Sequence, residues 1–437
     1  MRCLRFQSTI AATLAAILCL LPLPADALSI DLFPGARLEP APGDTPARAQ
    51  FRRGLEAAQR GDLEAAAAAF KESARLDPKS PLPLIGHAEI ALRRDRPAEA
   101  EALMQRALKL APSSVETLMA AGRVALVNKQ PSVAEERWKK AIALDAKLLP
   151  ARLALGELYL GTLRRPKDAA ETYRAAVGID PKNADAHLGL GLALAAIGDL
   201  VGGLAECETA AKLAPGSALP RLAAADLQLK LARPDQALAT YEGLLKAKPD
   251  LLPALLGKGN AYLAKRDTAN ALTAYRAATA AAPKDATAQF RLGTLLQALQ
   301  RPDEAETAYL AALAADPKLA SAYNNLAWMS AERGRRLDDA LKWAQQAIKL
   351  NPAEPQYLDT LGWVYRARRE PDRALATLEK AAQMKPQLAT VLVHLGLVYE
   401  EKGRRKDALA AYQQALKLNQ PSPEVEFAKK QIQALSG

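Results

Sequence analysis

Proline recurs along this chain at an almost constant interval, and that interval restricts the possible folds more than any other feature. Most neighbouring members of the series lie 34 residues apart. The members are Pro78, Pro112, Pro181, Pro215, Pro249, Pro283, Pro317, Pro352, Pro386 and Pro421. The double gap after Pro112 contains one further unit, with Ala146 in the proline place. A period of 20 to 50 residues indicates an array of repeats that stack on one another.

Two adjacent copies make the repeat visible residue by residue. Residues 323–352 read YNNLAWMSAERGRRLDDALKWAQQAIKLNP, and residues 353–386 read AEPQYLDTLGWVYRARREPDRALATLEKAAQMKP. When they are aligned, Trp328 corresponds to Trp363 and Ala340 corresponds to Ala374. The same register can be followed over residues 47–422 as eleven units, with one-residue insertions near 163–165 and 334–336.

Every unit has small residues in two fixed places. The first place holds Gly54, Ala88, Gly122, Gly156, Gly191, Ala225, Gly259, Gly293, Ala327, Gly362 and Gly396. The second holds Ala66, Ala100, Ala134, Ala169, Gly203, Ala237, Ala271, Ala305, Ala340, Ala374 and Ala408, and a wedge residue, usually bulky, follows four positions later. Two helices approach closely only where neither carries bulk at the crossing. Each unit is therefore predicted to be two packed helices, which the proline ends.

One unit shows the family pattern in full. Leu392-x2-Leu395-Gly396-x2-Tyr399, followed by Ala408-x3-Tyr412, resembles the tetratricopeptide repeat (TPR), with Leu in the Trp place. The resemblance implies an all-α fold, a right-handed α-solenoid of about eleven helix-turn-helix repeats over residues 47–422. After Pro421, residues 423–437 place Val425, Ala428, Ile432 and Leu435 on one helical face, which predicts a C-terminal capping helix.

The N-terminus has the order of a secretory signal. Arg2 and Arg5 precede the apolar stretch Ile10–Leu21, and Ala25-Asp26-Ala27 has the form of a cleavage site. Residues 1–27 are predicted to be a cleaved signal peptide, and residues 28–46 a Pro-rich extended lead-in. The mature chain is then expected to be periplasmic or otherwise extracytoplasmic, without a transmembrane segment, and to keep Cys207 as its one cysteine.

The surface is expected to be basic, because the chain has 59 Lys+Arg against 48 Asp+Glu. A basic excess favours acidic partners such as anionic polysaccharide, anionic membrane or acidic proteins. However, the basic residues are scattered among acidic ones, which is equally typical of a solvated helical surface. No nucleic-acid partner is expected.

The sequence has no pattern that indicates catalysis. His87, His187 and His394 lie in three distant repeats, and no local metal-binding motif accompanies them. Cys207 occupies a wedge place, where a buried small hydrophobe is expected. We therefore expect no metal site, no cofactor and no enzymatic activity.

The TPR resemblance also implies a binding face. In that family the first helices line a concave groove, and the fifth and ninth residues of each unit point into it. Here these places are mostly apolar, with Glu89, Glu157, Asp226 and Asn260 among the polar ones. None of the fifth places holds Lys, which disfavours the family's clamp for C-terminal carboxylates.

The predicted groove changes character in repeats 9 and 10. The candidate partner-binding residues are Asn324, Trp328, Gln356, Asp359, Trp363 and Arg366. Aromatic rings beside amide, acid and guanidinium groups suit a peptide or a sugar chain. The alternative is that both Trp residues pack between neighbouring repeats as core. In that case the groove would bind through its apolar middle, from Leu188 to Phe290.

The sequence thus predicts an exported scaffold or adaptor that holds protein or peptide partners in a concave groove. The segments NNLAW and LDTLGW, which contain the two Trp residues, resemble exported bacterial TPR proteins of exopolysaccharide and protein-export loci. That resemblance implies a role in cell-envelope assembly or export. The alternative function is direct binding of an anionic polysaccharide.

Overall fold

The computed structural model describes residues 45–418 and 422–436. Within those ranges the regular structure is entirely helical, with 23 α-helices, one π-helical turn and no strand. The predicted signal segment, residues 1–27, lies outside the described residues, and so do residues 28–44 of the lead-in. Two helices form each repeat, so that α1 and α2 belong to repeat 1 and α21 and α22 to repeat 11.

The described residues fall into two compact units, of which the first ends at Leu231. Its helices are α1 (Pro46–Gln59), α2 (Leu63–Leu76), α3 (Leu82–Arg93), α4 (Pro97–Leu110), α5 (Val115–Val127), α6 (Pro131–Leu144), α7 (Leu149–Glu157), α8 (Pro166–Ile179), α9 (Ala184–Ala196), α10 (Leu200–Leu213) and α11 (Ala218–Lys230). The unit is an α-solenoid in which each first helix packs on its neighbours in sequence and most also pack on the next first helix.

The second unit begins at Ala232 and has the same architecture. Its helices are α12 (Pro234–Ala247), α13 (Leu252–Ala264), α14 (Thr268–Ala281), α15 (Ala286–Ala298), α16 (Pro302–Ala315), α17 (Ala320–Arg333), α18 (Leu337–Leu350), α19 (Pro355–Ala367), α20 (Pro371–Met384), α21 (Ala389–Glu401), α22 (Arg405–Lys417) and α23 (Pro423–Ser436). In this unit α19 lies against both α17 and α21, which brings the first helices of repeats 9 to 11 together.

Burial confirms the predicted repeat register. All ten alanines at the helix-crossing place have no exposed surface, and all eleven wedge residues are buried. A Cβ atom on Gly259 would lie 2.3 Å from the ring of Tyr275, and one on Gly396 would lie 2.4 Å from the ring of Tyr412. The small residue of the first helix therefore makes room for the wedge of the second helix, as the sequence pattern indicates.

The turn inside each repeat has a feature that the sequence does not reveal. Apart from repeat 9, whose turn has two such residues, one residue per turn has a positive φ angle, and it is usually not glycine. The non-glycine members are Asp95, Lys129, Arg164, Ala232, Arg266, Gln300 and Arg369. In most of these turns the next residue donates its N–H to the carbonyl five residues earlier, for example Gln130 to Ala125 at 2.8 Å. This pairing satisfies carbonyls at the end of the first helix and forces the left-handed conformation.

The two predicted insertions are absorbed in different ways. In repeat 4 the extra residue produces the π-helical turn Leu158–Thr162, directly after α7. In repeat 9 the first helix extends to Arg333, and the turn contains two left-handed residues, Gly334 and Arg336. A single extra residue thus changes helix geometry in one repeat and turn geometry in the other.

Both ends of the described array have identifiable caps. Thr45 accepts the N–H of Arg48 at 3.3 Å, so α1 starts at Pro46, one residue before the predicted start of the array. At the other end, α23 covers repeat 11 with Val425 and Ala428, which are 5% and 0% exposed. Ile432 and Leu435 pack beside them, so the predicted apolar face of the capping helix is confirmed.

Candidate functional site

Three aromatic side chains from successive repeats meet in the unit that begins at Ala232. The ring centroids of Trp328 on α17 and Trp363 on α19 are 5.5 Å apart, with 17° between the ring planes. His394 on α21 lies 4.2 Å from Trp363 and 5.5 Å from Trp328. We call Trp328, Trp363 and His394 the ring cluster. It brings together the two predicted Trp residues and adds a histidine that sequence reasoning did not include.

The ring cluster is mostly interior. Trp363 and His394 are each 7% exposed, whereas Trp328 is half-buried. The indole N–H of Trp363 donates to Glu332 Oε1 at 2.5 Å, which satisfies its one polar group. This burial favours the packing alternative for Trp363 and leaves part of Trp328 accessible at the surface.

Two of the predicted polar contacts are also interior. Asp359 is 1% exposed, and its Oδ1 lies 2.7 Å from Nδ1 of His394. Asn324 is 8% exposed, and its Oδ1 has no hydrogen-bond partner among the described residues. The buried carboxylate of Asp359 needs a hydrogen-bond partner, because removing a charged group from water without one costs free energy. The pairing of Asp359 with His394 therefore holds α19 and α21 in register below the surface.

Of the remaining two predicted residues, Arg366 lies against the ring cluster. The guanidinium of Arg366 is 4.3 Å from the centroid of the Trp363 ring, and its Nε is 2.8 Å from Glu401 Oε1. Gln356 is exposed in the first turn of α19. Arg366 and the accessible part of Trp328 both lie next to the Trp363 ring, so they offer a charged group and an aromatic ring close together. A binding role for the six predicted residues stays a prediction.

His394 could have been found from the repeat register. It directly follows Val393, which occupies a fifth place, so it lies beside the predicted groove face. That position does not indicate how deeply the side chain of His394 is buried. The register gives the side of a helix on which a residue lies, whereas burial depends on how closely the next first helix packs.

The first helices of repeats 7 and 8 carry a second set of accessible side chains. Leu256, Asn260 and Phe290, which the sequence predicts on the groove face, are half-buried. In contrast, Glu89 is 2% exposed and pairs with Arg93 on its own helix at 2.8 Å. The predicted polar positions therefore differ in accessibility from one repeat to the next.

Neither a cluster of possible metal ligands nor a membrane-spanning helix is found in the described part of the chain. Across residues 45–418 and 422–436, histidines, cysteines and carboxylates do not gather in threes where a metal ion could bind. Among the same residues, none of the helices combines the length and the apolar character needed to cross a bilayer. Burial raises the pKa of the Cys207 thiol to about 12, so the thiol stays protonated at neutral pH.

Family models match almost all of the array. Residues 57–122 and 119–184 match tetratricopeptide repeat models, and residues 182–432 match the model described as cilia and flagella-associated protein 70 C-terminal domain. No enzyme family is among these matches. No curated protein matches the chain in sequence.

Several solved structures are similar to the chain in fold. The APC/C hetero-tetramer Cut9-Hcn1 is 15% identical, with a TM-score of 0.46 over 89% of this chain and 96% of that one. Yeast Tom70 is 13% identical, with a TM-score of 0.42 over 89% and 95% of the two chains. A tetratricopeptide repeat protein from Parabacteroides merdae is 17% identical, with a TM-score of 0.44 over 57% and 98%.

Proposed function

Because the chain belongs to the tetratricopeptide repeat family whose model describes the cilia and flagella-associated protein 70 C-terminal domain, we propose that it is a non-catalytic scaffold for protein partners. TPR proteins bind protein partners, and the array has the helix-pair architecture that suits such binding. The proposed contact surface comprises the accessible part of Trp328, Gln356 and Arg366.

The ring cluster is the observation that carries this proposal. Its rings come from three successive first helices, and the Asp359–His394 pair fixes two of those helices together. A partner that contacts Trp328 therefore meets a ring that is already stacked on Trp363 and His394. An aromatic group held in this way loses little conformational freedom on binding, which concentrates binding energy in a small area.

Two polar residues of α19 add polar specificity in this proposal. Arg366 is shared between the Trp363 ring and Glu401, and Gln356 has both an amide donor and an amide acceptor. A protein segment offers the matching combination of apolar side chains and main-chain amides. An anionic polysaccharide could also use Arg366 and stack a sugar ring on Trp328, so the experiment below has to distinguish the two ligands.

The proposed setting is the cell envelope, outside the cytoplasm. Support comes from the order of Arg2 and Arg5, the apolar stretch Ile10–Leu21 and the small residues at Ala25 and Ala27. After cleavage the chain would act in envelope assembly or export, where an array can hold several components. N-terminal sequencing of the exported protein tests this, because a chain that starts at Leu28 supports export and an intact N-terminus contradicts it.

Partner capture with two matched variants tests the binding role. The mature chain, residues 28–437, is used as bait in envelope extract, beside its Trp328→Ala and Trp343→Ala variants. Trp343 is also half-buried in repeat 9 but lies on the second helix, α18. We expect Trp328→Ala to lose the captured protein and Trp343→Ala to keep it, with both variants still folded.

Two outcomes of this experiment would contradict the proposal. Equal capture by the parent chain and both variants would show that Trp328 does not contact the partner. Capture that depends on an anionic polysaccharide, and that disappears after enzymatic removal of that polymer, would favour the direct polysaccharide function.

A further inference from the structure

An ion pair between neighbouring repeats recurs beside the turn that joins the two helices of a repeat. In five repeats the second residue of the second helix is a carboxylate, and it pairs with a basic side chain 30 residues later, at the end of the next first helix. The pairs are Glu64–Arg94, Asp235–Lys265, Asp303–Arg333, Asp338–Arg368 and Asp372–Lys402. We call these turns, together with the first turn of each second helix, the turn edge.

Repeats 4 and 5 depart from this pattern. The same place of the second helix holds Lys167 in repeat 4 and Val201 in repeat 5, and the places that follow in the next repeats hold Ile197 and Leu231. Lys167 is exposed and forms no ion pair with the described residues. Val201 is 60% exposed and Ile197 is 41% exposed, whereas Leu231 is half-buried. An unpaired cation and two exposed aliphatic side chains therefore lie where other repeats have ion pairs.

Two further cations of the turn edge have no acidic partner among the described residues. Lys129 and Arg164 are the left-handed residues of the turns in repeats 3 and 4, and both are exposed. The two carboxylates on the turn edge of repeats 3 to 5 are already engaged. Asp168 pairs with Arg165 at 2.5 Å, and Asp199 accepts a main-chain N–H at 2.8 Å. The unpaired charge on this part of the turn edge is therefore mainly positive.

The turns of repeats 3 to 5 lie side by side. Arg165, in the turn of repeat 4, reaches Glu135 on α6 of repeat 3 at 3.1 Å. Leu163, in the same turn, packs on the core cluster that contains Leu194 near the end of α9. We call the three unpaired cations and the two exposed aliphatic residues the edge patch, which comprises Lys129, Arg164, Lys167, Ile197 and Val201. The edge patch thus crosses three successive repeats.

We propose that the edge patch docks on an anionic lipid bilayer. Ile197 and Val201 enter the boundary between headgroups and acyl chains, and the three cations contact anionic headgroups. Apolar side chains flanked by Lys and Arg bind a protein to such a surface without crossing it. This inference goes beyond the proposed scaffold function and does not depend on it, because the edge patch and the ring cluster lie in different units.

The exposed aliphatic residues favour a bilayer over an anionic polysaccharide. A polyuronate offers carboxylates to the three cations but almost no apolar surface to Ile197 and Val201. A bilayer accommodates both kinds of side chain, because burial of apolar area and attraction between opposite charges add together. Lys167 acts in the same direction, since the carboxylate that other repeats have at this place would be repelled by anionic headgroups.

Vesicle flotation tests the dependence on charge. The mature chain, residues 28–437, is used because the apolar stretch Ile10–Leu21 would itself bind lipid. We expect binding to vesicles of phosphatidylcholine and phosphatidylglycerol in equal amounts, and much weaker binding to phosphatidylcholine alone or at high salt. Lys167→Glu should weaken binding by about tenfold or more, because one cation near the surface contributes about fivefold and the reversal adds repulsion.

Matched control variants change the opposite end of α6 in the same unit. Lys147→Glu reverses the charge of an exposed lysine in the turn between repeats 3 and 4, and Leu144→Ser replaces a leucine that is 51% exposed. The helix has 14 residues, so these positions are about 20 Å from the turn edge, beyond the Debye length of about 8 Å at physiological salt. Both variants should keep vesicle binding, whereas Val201→Ser should weaken it by about tenfold.

A fluorescent probe reports whether the edge patch enters the bilayer. Cys207 is the one cysteine of the mature chain and has no exposed surface, so a cysteine introduced at the surface is labelled selectively. An environment-sensitive dye on Ile197→Cys should shift its emission to shorter wavelengths with anionic vesicles, and the same dye on Leu144→Cys should not. Circular dichroism melting shows that each variant is folded.

The outcomes separate this inference from the scaffold proposal. Absence of binding to anionic vesicles refutes it, as does equal binding by the parent chain, Lys167→Glu and Val201→Ser, or by neutral and anionic vesicles. An unshifted dye at position 197 also refutes it. If polygalacturonate or an acidic protein binds through the edge patch while vesicles do not, that ligand replaces the bilayer. None of these results bears on partner capture through Trp328, so the two proposals can fail separately.

Discussion

The carboxylate of Asp359 lies 2.7 Å from Nδ1 of His394, and both side chains are buried between the first helices of repeats 10 and 11. This pair also holds the ring cluster in place, because the His394 ring centroid lies 4.2 Å from that of Trp363. The residue that the sequence places in a binding patch therefore has a role in holding two repeats together.

Asp359→Ala should destabilise the protein. The substitution leaves His394 buried without its carboxylate, and an unsatisfied buried polar group costs about 1–3 kcal/mol. Gln356→Ala changes an exposed residue on the same helix and should stay within about 0.5 kcal/mol of the parent chain. Chemical denaturation followed by circular dichroism measures both. Equal midpoints for the two variants would mean that the pair contributes no stability.

Two glycine-to-alanine substitutions should have opposite effects. Gly259 and Gly243 are both helical, but an added Cβ meets the Tyr275 ring at 2.3 Å in the first case and nothing within 4 Å in the second. Alanine favours helix by about 0.5–1 kcal/mol relative to glycine. At Gly259 overpacking outweighs this gain, at a typical cost of about 1–3 kcal/mol. Melting temperatures should rise for Gly243→Ala and fall for Gly259→Ala, and a shift of the same sign in both would contradict the packing.

Glu157→Gln should stabilise the protein more at pH 8 than at pH 4. Burial raises the pKa of Glu157, and nearby Arg123 offsets only part of this effect. The folded state therefore holds the proton more tightly than the unfolded state, so stability falls as the pH rises above the ordinary Glu pKa. Glutamine removes that dependence. Glu136→Gln is the control, because the hydrogen bond to Lys140 and the positive charge of Lys140 lower the pKa of Glu136. A pH-independent gain at Glu157 would contradict the assignment.

Removal of residues 423–437 should fray repeat 11 and promote association. Val425 and Ala428 cover its outer face, and Arg405 Nε donates to the Leu435 carbonyl at 2.8 Å. Stability in a solenoid is the sum of local and nearest-neighbour terms, so distant repeats should stay folded. Circular dichroism should show only a small loss of helix, while light scattering should increase. Complete loss of helical signal would instead indicate one cooperative globule.

The sequence predicts the packing of the repeats well, because the small residues of every repeat have the same role. They allow two helices to approach closely where they cross. The helix-crossing alanines and the wedge residues all have the expected burial, since a close crossing leaves no alternative. The turns are harder to predict. Left-handed residues such as Lys129 and Arg369 are basic and not glycine, so residue type does not mark their conformation.

The sequence predicts on which side of the first helices the candidate site lies, but it does not predict how deeply each side chain is buried. The register correctly places Trp328 and Trp363 on neighbouring first helices, yet Trp363 is buried and Trp328 is only half-buried, although His394 stacks near both rings. The register could also have indicated the ion pairs between repeats. Arg333–Asp303 at 2.7 Å and Lys402–Asp372 at 2.5 Å both join residues 30 apart, from the end of one first helix to the preceding second helix.

Site-specific photo-cross-linking in living cells tests the central claim most directly. A photo-reactive phenylalanine analogue replaces Gln356, which is exposed in the first turn of α19, or Gln345, which is exposed on the second helix α18. We predict a discrete cross-linked protein species from position 356 that is lost with Trp328→Ala, and none from position 345. Equal cross-linking at both positions, or none at position 356, would contradict the proposal that this surface binds a protein partner.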